Sequence, residues 1–391
     1  MAGKNVDRSV LQGECIELFR AAIKTAATRD PYERRLISFL RTMNLTPNDF
    51  VQLAKKDPSF IERKIISFIS VENSRAERGE ITSGTVGNSL KAIRLLLEMN
   101  DISLNWKKIR RVLPRARRYA LDRIPTIKEI QEIIEAADLR GKAVTLVFIS
   151  SGIREGAIED LKVADYSQIE KEGEKVAGRL VVYNGDPERY TTFITLEACL
   201  ALDKYLNFRK EHGEDIKSTS PLFRDKFDPI KGRYGHGKAH SKEIVIPMTA
   251  PSVRQYYNRL LYSIGIRTQK KRRHDFSVHG FRKFFKTKSE IAGMRPINVE
   301  TLMGHSTGIS DSYYRPTENE LLEDYLKIID LLTIRTDGST LRKEIIDLKE
   351  KNNDYDILIM TKLQEKEDAI NTLSDQVIKL TKEMQELREK K

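Results

Sequence analysis

The N-terminal third of the chain carries apolar side chains at intervals of three and four, a spacing that is typical of amphipathic α-helices. The repeating apolar residues form two faces: Leu11, Cys15, Leu18, Phe19 and Ile23, and then Val86, Leu90, Ile93 and Leu97. Helix starts are predicted at Thr46-Pro47-Asn48 and at Thr82-Ser83-Gly84-Thr85, because a side-chain oxygen before a helix can accept a free backbone N–H. We therefore predict a small helical domain whose apolar faces form its core.

The pattern changes near residue 126, where helix and strand signals alternate. Thr126-Ile-Lys-Glu129 predicts a capping box that opens a helix, and the apolar run 142–150 predicts a buried helix that ends at Gly152. Residues 179–195 predict a β-hairpin, because two strand-like segments flank the turn-forming residues Asn184-Gly185-Asp186-Pro187. The expected fold class is α+β, mainly α with a small β-hairpin or sheet.

Near the C-terminus the apolar residues follow a heptad spacing. The residues at its a and d positions are Ile370, Leu373, Val377, Leu380, Met384 and Leu387. This spacing predicts a coiled-coil-like helix that can associate with another copy of the chain. A helix that packs back on its own domain is the alternative.

Composition narrows the classes of partner and compartment. The 391 residues carry a formal net charge of +12, with a pI near 9.4, which favours polyanionic partners over a merely solvated basic surface. The 2 cysteines, Cys15 and Cys199, predict no disulfide framework and a reducing compartment. Because no apolar run approaches the ~20 residues of a membrane helix, we expect an intracellular, cytoplasmic protein.

Two basic clusters are predicted to contact DNA phosphates. The first comprises Lys107, Lys108, Arg110, Arg111, Arg115, Arg117 and Arg118, and the second comprises Lys270, Lys271, Arg272 and Arg273. The first cluster is expected to stay extended, because a run of one charge sign repels itself and Pro114 interrupts a helix. A solvated basic surface is the alternative for the first cluster, and a nuclear-import signal is the alternative for the second.

The chemistry-bearing residues concentrate between positions 279 and 314, as His279-Gly-Phe-Arg282, Met303-Gly-His305 and Tyr313-Tyr314. Arginine offers a planar fork of donors to phosphate oxygens, histidine moves protons near neutral pH, and a tyrosine hydroxyl can be a covalent nucleophile. The set therefore indicates a site for a phosphodiester. The histidine spacing fits no metal site, and no P-loop is present, so we expect no metal and no cofactor.

Together with Ser151-Gly-Ile-Arg154-Glu155, these motifs resemble the tyrosine recombinase, or phage integrase, family, in which archaeal and viral members are the most similar. The resemblance covers roughly residues 125 to 335. It implies a helical core-binding DNA clamp at 1–106 and a catalytic domain at 126–335. The basic linker at 107–125 joins these two domains, and the coiled-coil-like tail at 336–391 lies outside the usual family core.

The resemblance also implies a role for each site residue. Tyr314 would attack the scissile phosphorus and form a 3′-phosphotyrosyl link, with Tyr313 as the competing nucleophile. Arg154 and Arg282 would bind the non-bridging oxygens; Arg154 is expected to begin a helix. His305 would add a hydrogen bond to the phosphate, and His279 would be the base.

One departure from the family pattern concerns the hairpin. Related enzymes carry a lysine there that protonates the leaving 5′ oxygen, whereas the turn of this chain offers Arg189. Lys171 and Lys175 are expected just before the first strand and match imperfectly. The general acid is therefore unassigned, and Arg189 would stabilise charge rather than transfer a proton.

The implied function is a site-specific DNA recombinase or integrase that needs neither ATP nor a metal and acts on double-stranded DNA. A homotetramer on two duplexes is implied by the resemblance. The alternatives are a type IB topoisomerase, which shares the phosphotyrosine chemistry, and a DNA-binding architectural protein that has lost catalysis. In either case the protein would be associated with DNA in the cytoplasm.

Overall fold

The computed structural model describes residues 7–115, 122–225, 245–269, 274–306, 308, 313–334, 360–364, 366 and 370. The chain divides into two compact units, Met1–Leu121 and Asp122–Lys391. Most described residues are helical, and the second unit holds a three-stranded sheet. The expected mainly α fold with a small sheet is confirmed.

The N-terminal unit is built from helices α1 to α6. In chain order they are Glu14–Ala21, Ala26–Met43, Pro47–Lys56, Pro58–Glu77, Ser83–Glu98 and Trp106–Arg110. Both predicted helix starts are confirmed, because the Thr46 side chain accepts from Asp49 N and the Thr82 side chain accepts from Thr85 N. The expected face of α1 is wrong at Leu18, which is 40% exposed.

Helix α6 contradicts the extended conformation expected for the first basic cluster. Lys107, Lys108 and Arg110 lie on this helix, which the Asn105 side chain caps by accepting from Lys108 N at 3.0 Å. Ile109 is fully buried in the core of the N-terminal unit. Burial of one apolar side chain and a good cap therefore outweigh the repulsion between neighbouring positive charges.

The second unit begins with α7, Ile127–Ala136, and α8, Leu139–Ser151. The strands β1, β2 and β3 are Tyr166–Lys171, Glu174–Val182 and Tyr190–Ile194. Helices α9 to α14 follow and comprise Leu196–Glu211, Ala250–Ser263, His279–Ile291, Pro296–Leu302, Glu318–Leu326 and Ile329–Leu332. The capping box at Thr126 is confirmed, because Thr126 and Glu129 satisfy each other's backbone N–H groups.

Helix α8 is the centre of this unit. It packs against α7, α9, α11 and β3, and nearly all its residues are buried, which explains why its apolar residues form a run rather than a stripe. The prediction of a buried helix ending at Gly152 is confirmed, since Gly152 is the C-cap in the left-handed region, with φ 63°. Its N–H donates to the Phe148 carbonyl at 3.0 Å.

The sheet has the order β1-β2-β3 with antiparallel neighbours. The predicted hairpin is β2 and β3, with Val182 opposite Tyr190. Strand β1 was not predicted, and the expected position of two lysines is therefore wrong. Lys171 ends β1 and Lys175 lies within β2, because the chain turns at Glu172-Gly173 and pairs back on itself.

Several predictions concern residues outside those described: the heptad stripe beyond Ile370, Arg117 and Arg118, and the second basic cluster Lys270–Arg273. None of the helices in the described ranges is both long and apolar enough to cross a membrane. Cys15 and Cys199 are buried free thiols.

We expect Gly152→Ala to lower the free energy of unfolding by about 2–5 kcal/mol. The left-handed conformation costs a residue with a Cβ ~1–2 kcal/mol, and overpacking costs a further ~1–3 kcal/mol. An alanine Cβ at this position would overlap the ring of Phe285. Urea denaturation followed by circular dichroism measures the loss.

Gly173→Ala is the matched control for backbone strain alone. Gly173 also has a positive φ of 79°, yet an added Cβ would meet nothing within 4 Å. Its expected loss is about 1–2 kcal/mol. Equal losses for the two variants would contradict the role of the Phe285 contact.

Candidate active site

The second unit contains a cavity of about 430 Å³ in which the predicted basic residues meet. Its walls are formed by Phe148, Ile153, Arg154, Glu155, Gly156, Tyr183, Val278, His279, Arg282 and His305. Both predicted arginines and both predicted histidines are among them. Residues that are far apart in sequence therefore face one space, lined by two guanidinium groups.

Arg154 owes its position to the end of α8. The left-handed Gly152 turns the chain, and Arg154 then precedes a short 3₁₀ turn, Glu155–Glu159. Arg154 therefore stands at a helix start, as expected, but the helix is a 3₁₀ segment that ends after five residues. Arg154 is oriented by donating from Nη2 to the Gly304 carbonyl oxygen at 3.1 Å.

Arg282 lies on α11 with only 4% of its surface exposed. Its Nη1 donates to the Gly152 carbonyl and its Nη2 to the Met303 carbonyl, the latter at 2.8 Å. Burial lowers the pKa of Arg282 from its usual value, and the nearby Arg154 charge acts in the same direction. Two like charges face one cavity, and both donate to carbonyl oxygens of the segment 303–304. This arrangement favours an anion between them.

His305 follows Gly304 and is held on both sides of its ring. Its Nε2 lies 2.6 Å from Arg282 Nη2, and its Nδ1 contacts the carboxylate of Glu300. Because an arginine can only donate, the neutral ring carries its proton on Nδ1 and donates it to Glu300.

Glu300 is itself paired with Lys286. Burial raises the pKa of the Glu300 carboxyl, but hydrogen bonds from Lys286 and His305 outweigh that effect and lower it overall. Glu300 is therefore ionised at neutral pH. The polar chain from Lys286 through Glu300 to His305 fixes the face that the ring presents to Arg282.

His279 begins α11, three residues before Arg282, so both side chains lie on one face of the helix. Burial, followed by the charges of Lys283 and Arg282, lowers the pKa of His279 from its usual 6.5. The ring is therefore neutral at pH 7 and can accept a proton.

Tyr314 does not line the cavity. Its hydroxyl donates to Asn298 Oδ1 at 2.7 Å, and Asn298 in turn donates from Nδ2 to Asp324 Oδ2 at 2.7 Å. Asn298 is 3% exposed. The neighbouring Tyr313 is 87% exposed.

The hairpin residues also differ from expectation. Arg189 is exposed, and its backbone N–H closes the turn by donating to Asp186 O at 3.0 Å. The charge of Lys175 acts on Cys199 and Asp203, which lie outside the cavity lining. Neither candidate lines the cavity, whereas Tyr183 does.

The first basic cluster is divided among different surroundings. Arg110 lines a groove of about 760 Å³ in the N-terminal unit, together with Lys24, Lys91 and Arg94. Lys108 pairs with Glu62 at 3.4 Å. The described part of the cluster thus contributes to a basic groove through Arg110.

Residues 274–306 and the other described segments contain no group of three metal-ligating side chains that could hold an ion. The segment that contains His236 and His240 lies outside the described residues.

Sequence reasoning missed Tyr183, Glu300 and Asn298. Tyr183 stands directly before the turn residues Asn184-Gly185. This pattern predicts that Tyr183 lies near the hairpin turn, but not in which direction its side chain points. Glu300 precedes His305 by five residues, a spacing at which helical side chains do not share a face. The two meet because α12 ends at Leu302 and the chain turns back through Gly304, with φ 65°.

No protein-family model matches the sequence, and the comparison with curated proteins gives no match. Among solved structures, the XerA recombinase is 20% identical, with a TM-score of 0.35 over 80% of this chain and 95% of that chain. The Tn1549 transposon integrase in complex with circular intermediate DNA is 14% identical, with a TM-score of 0.46 over 79% and 97%. The lambda integrase dimer bound to a COC′ core site is 15% identical, with a TM-score of 0.47 over 77% and 74%. At such identities these structures assign no role to individual residues of this chain.

We expect the neutral His305 ring to be protonated mainly on Nδ1, because Arg282 donates to Nε2 and Glu300 accepts from Nδ1. Glu300→Ala should weaken that preference, since it removes the acceptor while the Arg282 donor remains. The ¹⁵N chemical shifts of the ring in alkaline buffer distinguish the two tautomers. Glu290→Ala is the control, since Glu290 pairs with the same Lys286 at 3.2 Å and not, in the described structure, with His305. A wild-type ring that is protonated mainly on Nε2 would refute the assignment.

Proposed function

We propose that this protein is a tyrosine-type site-specific DNA recombinase that cleaves and rejoins DNA through a 3′-phosphotyrosyl intermediate. The observation that carries the proposal is the convergence of Arg154, Arg282, His279 and His305 on one cavity. Two guanidinium groups that face one cavity can offer paired donors to a single phosphate.

The two arginines suit a transition state better than a ground state. Attack on phosphorus concentrates negative charge on the non-bridging oxygens, and donors that are already held in place stabilise that charge without reorganisation. Arg282 is held by two carbonyl oxygens and Arg154 by one. The loss of one such donor costs ~10²–10³ in rate, which is our expectation for Arg282→Ala.

His305 is the third group for the phosphate. When both ring nitrogens carry protons, Nε2 can donate to a phosphate oxygen while Nδ1 keeps its bond to Glu300. The phosphate would then replace the contact of His305 with Arg282. Glu300 keeps the ring oriented in both arrangements, as a carboxylate partner commonly does for a functional histidine.

Tyr314 is the nucleophile in this proposal, and His279 is the base that takes its proton. A free phenol has a pKa of about 10, so it needs a proton acceptor to attack at neutral pH. The lowered pKa of His279 keeps that acceptor neutral. Because the Tyr314 hydroxyl is bound to Asn298, the attack requires that Tyr314 exchange this bond for the phosphate.

The phosphotyrosyl bond conserves the energy of the phosphodiester, so rejoining requires no ATP. Double-stranded DNA is the proposed partner, with the N-terminal unit as a clamp whose basic groove includes Arg110. Contacts with phosphates release counterions and make such binding depend on salt. Tetramer assembly and self-association through the C-terminal tail stay predictions.

Two alternative functions differ from this proposal in measurable ways. A type IB topoisomerase would use the same chemistry without sequence preference. An inactive architectural protein would bind DNA without forming a covalent link. The full arginine and histidine set at the cavity favours an enzyme over the architectural protein.

We expect Tyr314→Phe to abolish covalent attachment to DNA while DNA binding persists. The protein is incubated with fragmented DNA in EDTA and quenched with detergent, and the DNA that stays attached is sequenced. Tyr313→Phe is the matched control and should retain attachment, because it removes a hydroxyl from a side chain that is 87% exposed.

Each outcome of this trapping experiment is informative. Enrichment of one short sequence supports the recombinase, and random attachment supports the topoisomerase. The absence of attachment by wild-type protein on bound DNA would reject both enzymes. If attachment is lost only in Tyr313→Phe, the nucleophile is Tyr313 rather than Tyr314.

We expect the cleavage rate to fall on the acid side of the pH profile, below the usual histidine pKa of 6.5. His279 has to be neutral to accept a proton, and a lowered pKa keeps it neutral until the pH falls through that value. Single-turnover cleavage measured between pH 5 and 8 tests this, with His279→Gln as the variant that lacks the acid limb. If acidification already lowers the wild-type rate between pH 8 and pH 7, the assignment is contradicted.

A further inference from the structure

The cleavage step leaves one proton transfer unassigned. When the P–O5′ bond breaks, the departing oxygen of an alcohol has to gain a proton, since an alkoxide is a poor leaving group near neutral pH. A proton donor at the cavity is therefore required, and this requirement rests on the proposed function.

We propose that Tyr183 is the catalytic residue that donates a proton to the leaving 5′ oxygen. Tyr183 follows the last residue of β2, at the hairpin end that reaches the cavity, and its side chain is part of the cavity wall. It shares that wall with Arg154, so a phosphate bound by Arg154 would lie beside the Tyr183 phenol.

The backbone of Tyr183 adopts a conformation that is unusual for a tyrosine. Its φ is 54°, in the left-handed region that a residue with a bulky side chain rarely adopts. Such outliers persist only where the surroundings enforce them, and they cluster at functional sites. Here the Tyr183 carbonyl accepts from Asp186 N at 3.0 Å, which closes the turn.

The ring of Tyr190 supports this conformation from the facing strand. The two rings meet edge to face, with centroids 6.2 Å apart. Tyr190 in turn packs against Gly304, where an added Cβ would overlap its ring. The orientation of Tyr183 is therefore tied to the same chain segment that orients Arg154.

The other donors around the cavity suit the task less well. A guanidinium has too high a pKa to release its proton, which excludes Arg154 and Arg282 as acids. His279 is neutral and is already the proposed acceptor. His305 is engaged by Glu300 at Nδ1, and in the proposed phosphate complex its Nε2 is engaged by a non-bridging oxygen rather than by O5′.

The protonation state of Tyr183 is also the one that a proton donor requires. Burial raises the pKa of its phenol, so the proton is present at neutral pH, whereas Arg154 acts to lower that pKa. Asp160 and Glu188 are the other charges that act on it, and both raise the pKa. Arg154 would therefore stabilise the phenolate that forms when the proton leaves.

The proton transfers balance over one cleavage. The Tyr314 oxygen forms its bond to phosphorus as its proton passes to His279. The P–O5′ bond breaks, and O5′ takes the proton of the Tyr183 hydroxyl, which leaves a phenolate beside Arg154. Rejoining reverses each step, since the attacking 5′ hydroxyl returns its proton to Tyr183.

The test compares two DNA substrates at the sequence recovered by covalent trapping. One has the natural 5′ oxygen at the scissile phosphate, and the other has sulfur at that bridging position. A thiol has a pKa of about 8.5, so a thiolate departs without a proton donor. We expect Tyr183→Phe to cleave the oxygen substrate ~10²–10⁴-fold more slowly than wild type, and the sulfur substrate within about tenfold of wild type.

The control is Tyr166→Phe, on β1 of the same sheet. It removes the hydroxyl of a half-buried side chain that donates to Asp203 at 3.3 Å, outside the cavity lining, and should leave both rates close to wild type. Arg189→Ala and Lys175→Ala are measured in parallel. The assignment would be overturned if one of these variants, instead of Tyr183→Phe, cleaved the oxygen substrate slowly and the sulfur substrate at nearly the wild-type rate.

The remaining outcomes separate this inference from the proposed function. Absence of cleavage by wild-type protein rejects the recombinase itself. Wild-type cleavage with an unaffected Tyr183→Phe, or with equal losses on both substrates, rejects only the role of Tyr183. If Tyr183→Phe does not fold, fluorotyrosine at position 183 replaces it. The more acidic phenol should move the alkaline limb of the pH profile to lower pH, and an unmoved limb would reject the role.

Discussion

The candidate site depends on the hydrogen bonds that two arginines make to the ends of neighbouring chain segments. Arg282 donates to the carbonyl oxygens of Gly152 and Met303, and Arg154 donates to that of Gly304. Two positive charges that face one small cavity repel each other, and these carbonyl dipoles offset part of that repulsion. The remaining positive potential is available to an anion. The cavity is therefore preorganised for the phosphate of the proposed reaction, at the expense of local stability rather than of binding energy.

A second layer of polar contacts determines what this positive cavity can do. Glu300, held by Lys286, places a negative charge behind His305 and fixes the direction of its ring. The Tyr314 hydroxyl is bound to Asn298, which is itself bound to Asp324, and Tyr314 does not line the cavity. The proposed phosphate-binding groups are thus preorganised at the cavity, whereas the proposed nucleophile is not. This division suits an enzyme whose covalent step should follow DNA binding.

Much of the fold could be predicted where the signal is local. The starts of α3, α5 and α7 and the end of α8 at Gly152 follow from side chains within a few residues of each boundary. The errors had different causes. Strand β1 pairs with β2 through the local turn at Glu172-Gly173, a signal that the prediction did not use, whereas the segment after Arg154 tightens into a 3₁₀ turn. Leu18 shows a further limit, since periodicity alone does not reveal where a helix face ends.

The sequence by itself determined the residue types of the site, their order along the chain and the class of chemistry that they support. Those properties depend on the covalent structure of the side chains, because an arginine, a histidine and a tyrosine keep their donors and pKa ranges in any fold. Only the tertiary structure decided which groups meet. It brings Tyr183 and Glu300 to the site, leaves Arg189 and Lys175 off the cavity wall, and binds Tyr314 to Asn298. The physical reason is that direction depends on long-range packing: a turn, a left-handed residue or a helix end determines where a side chain points, and no spacing in the sequence records that angle.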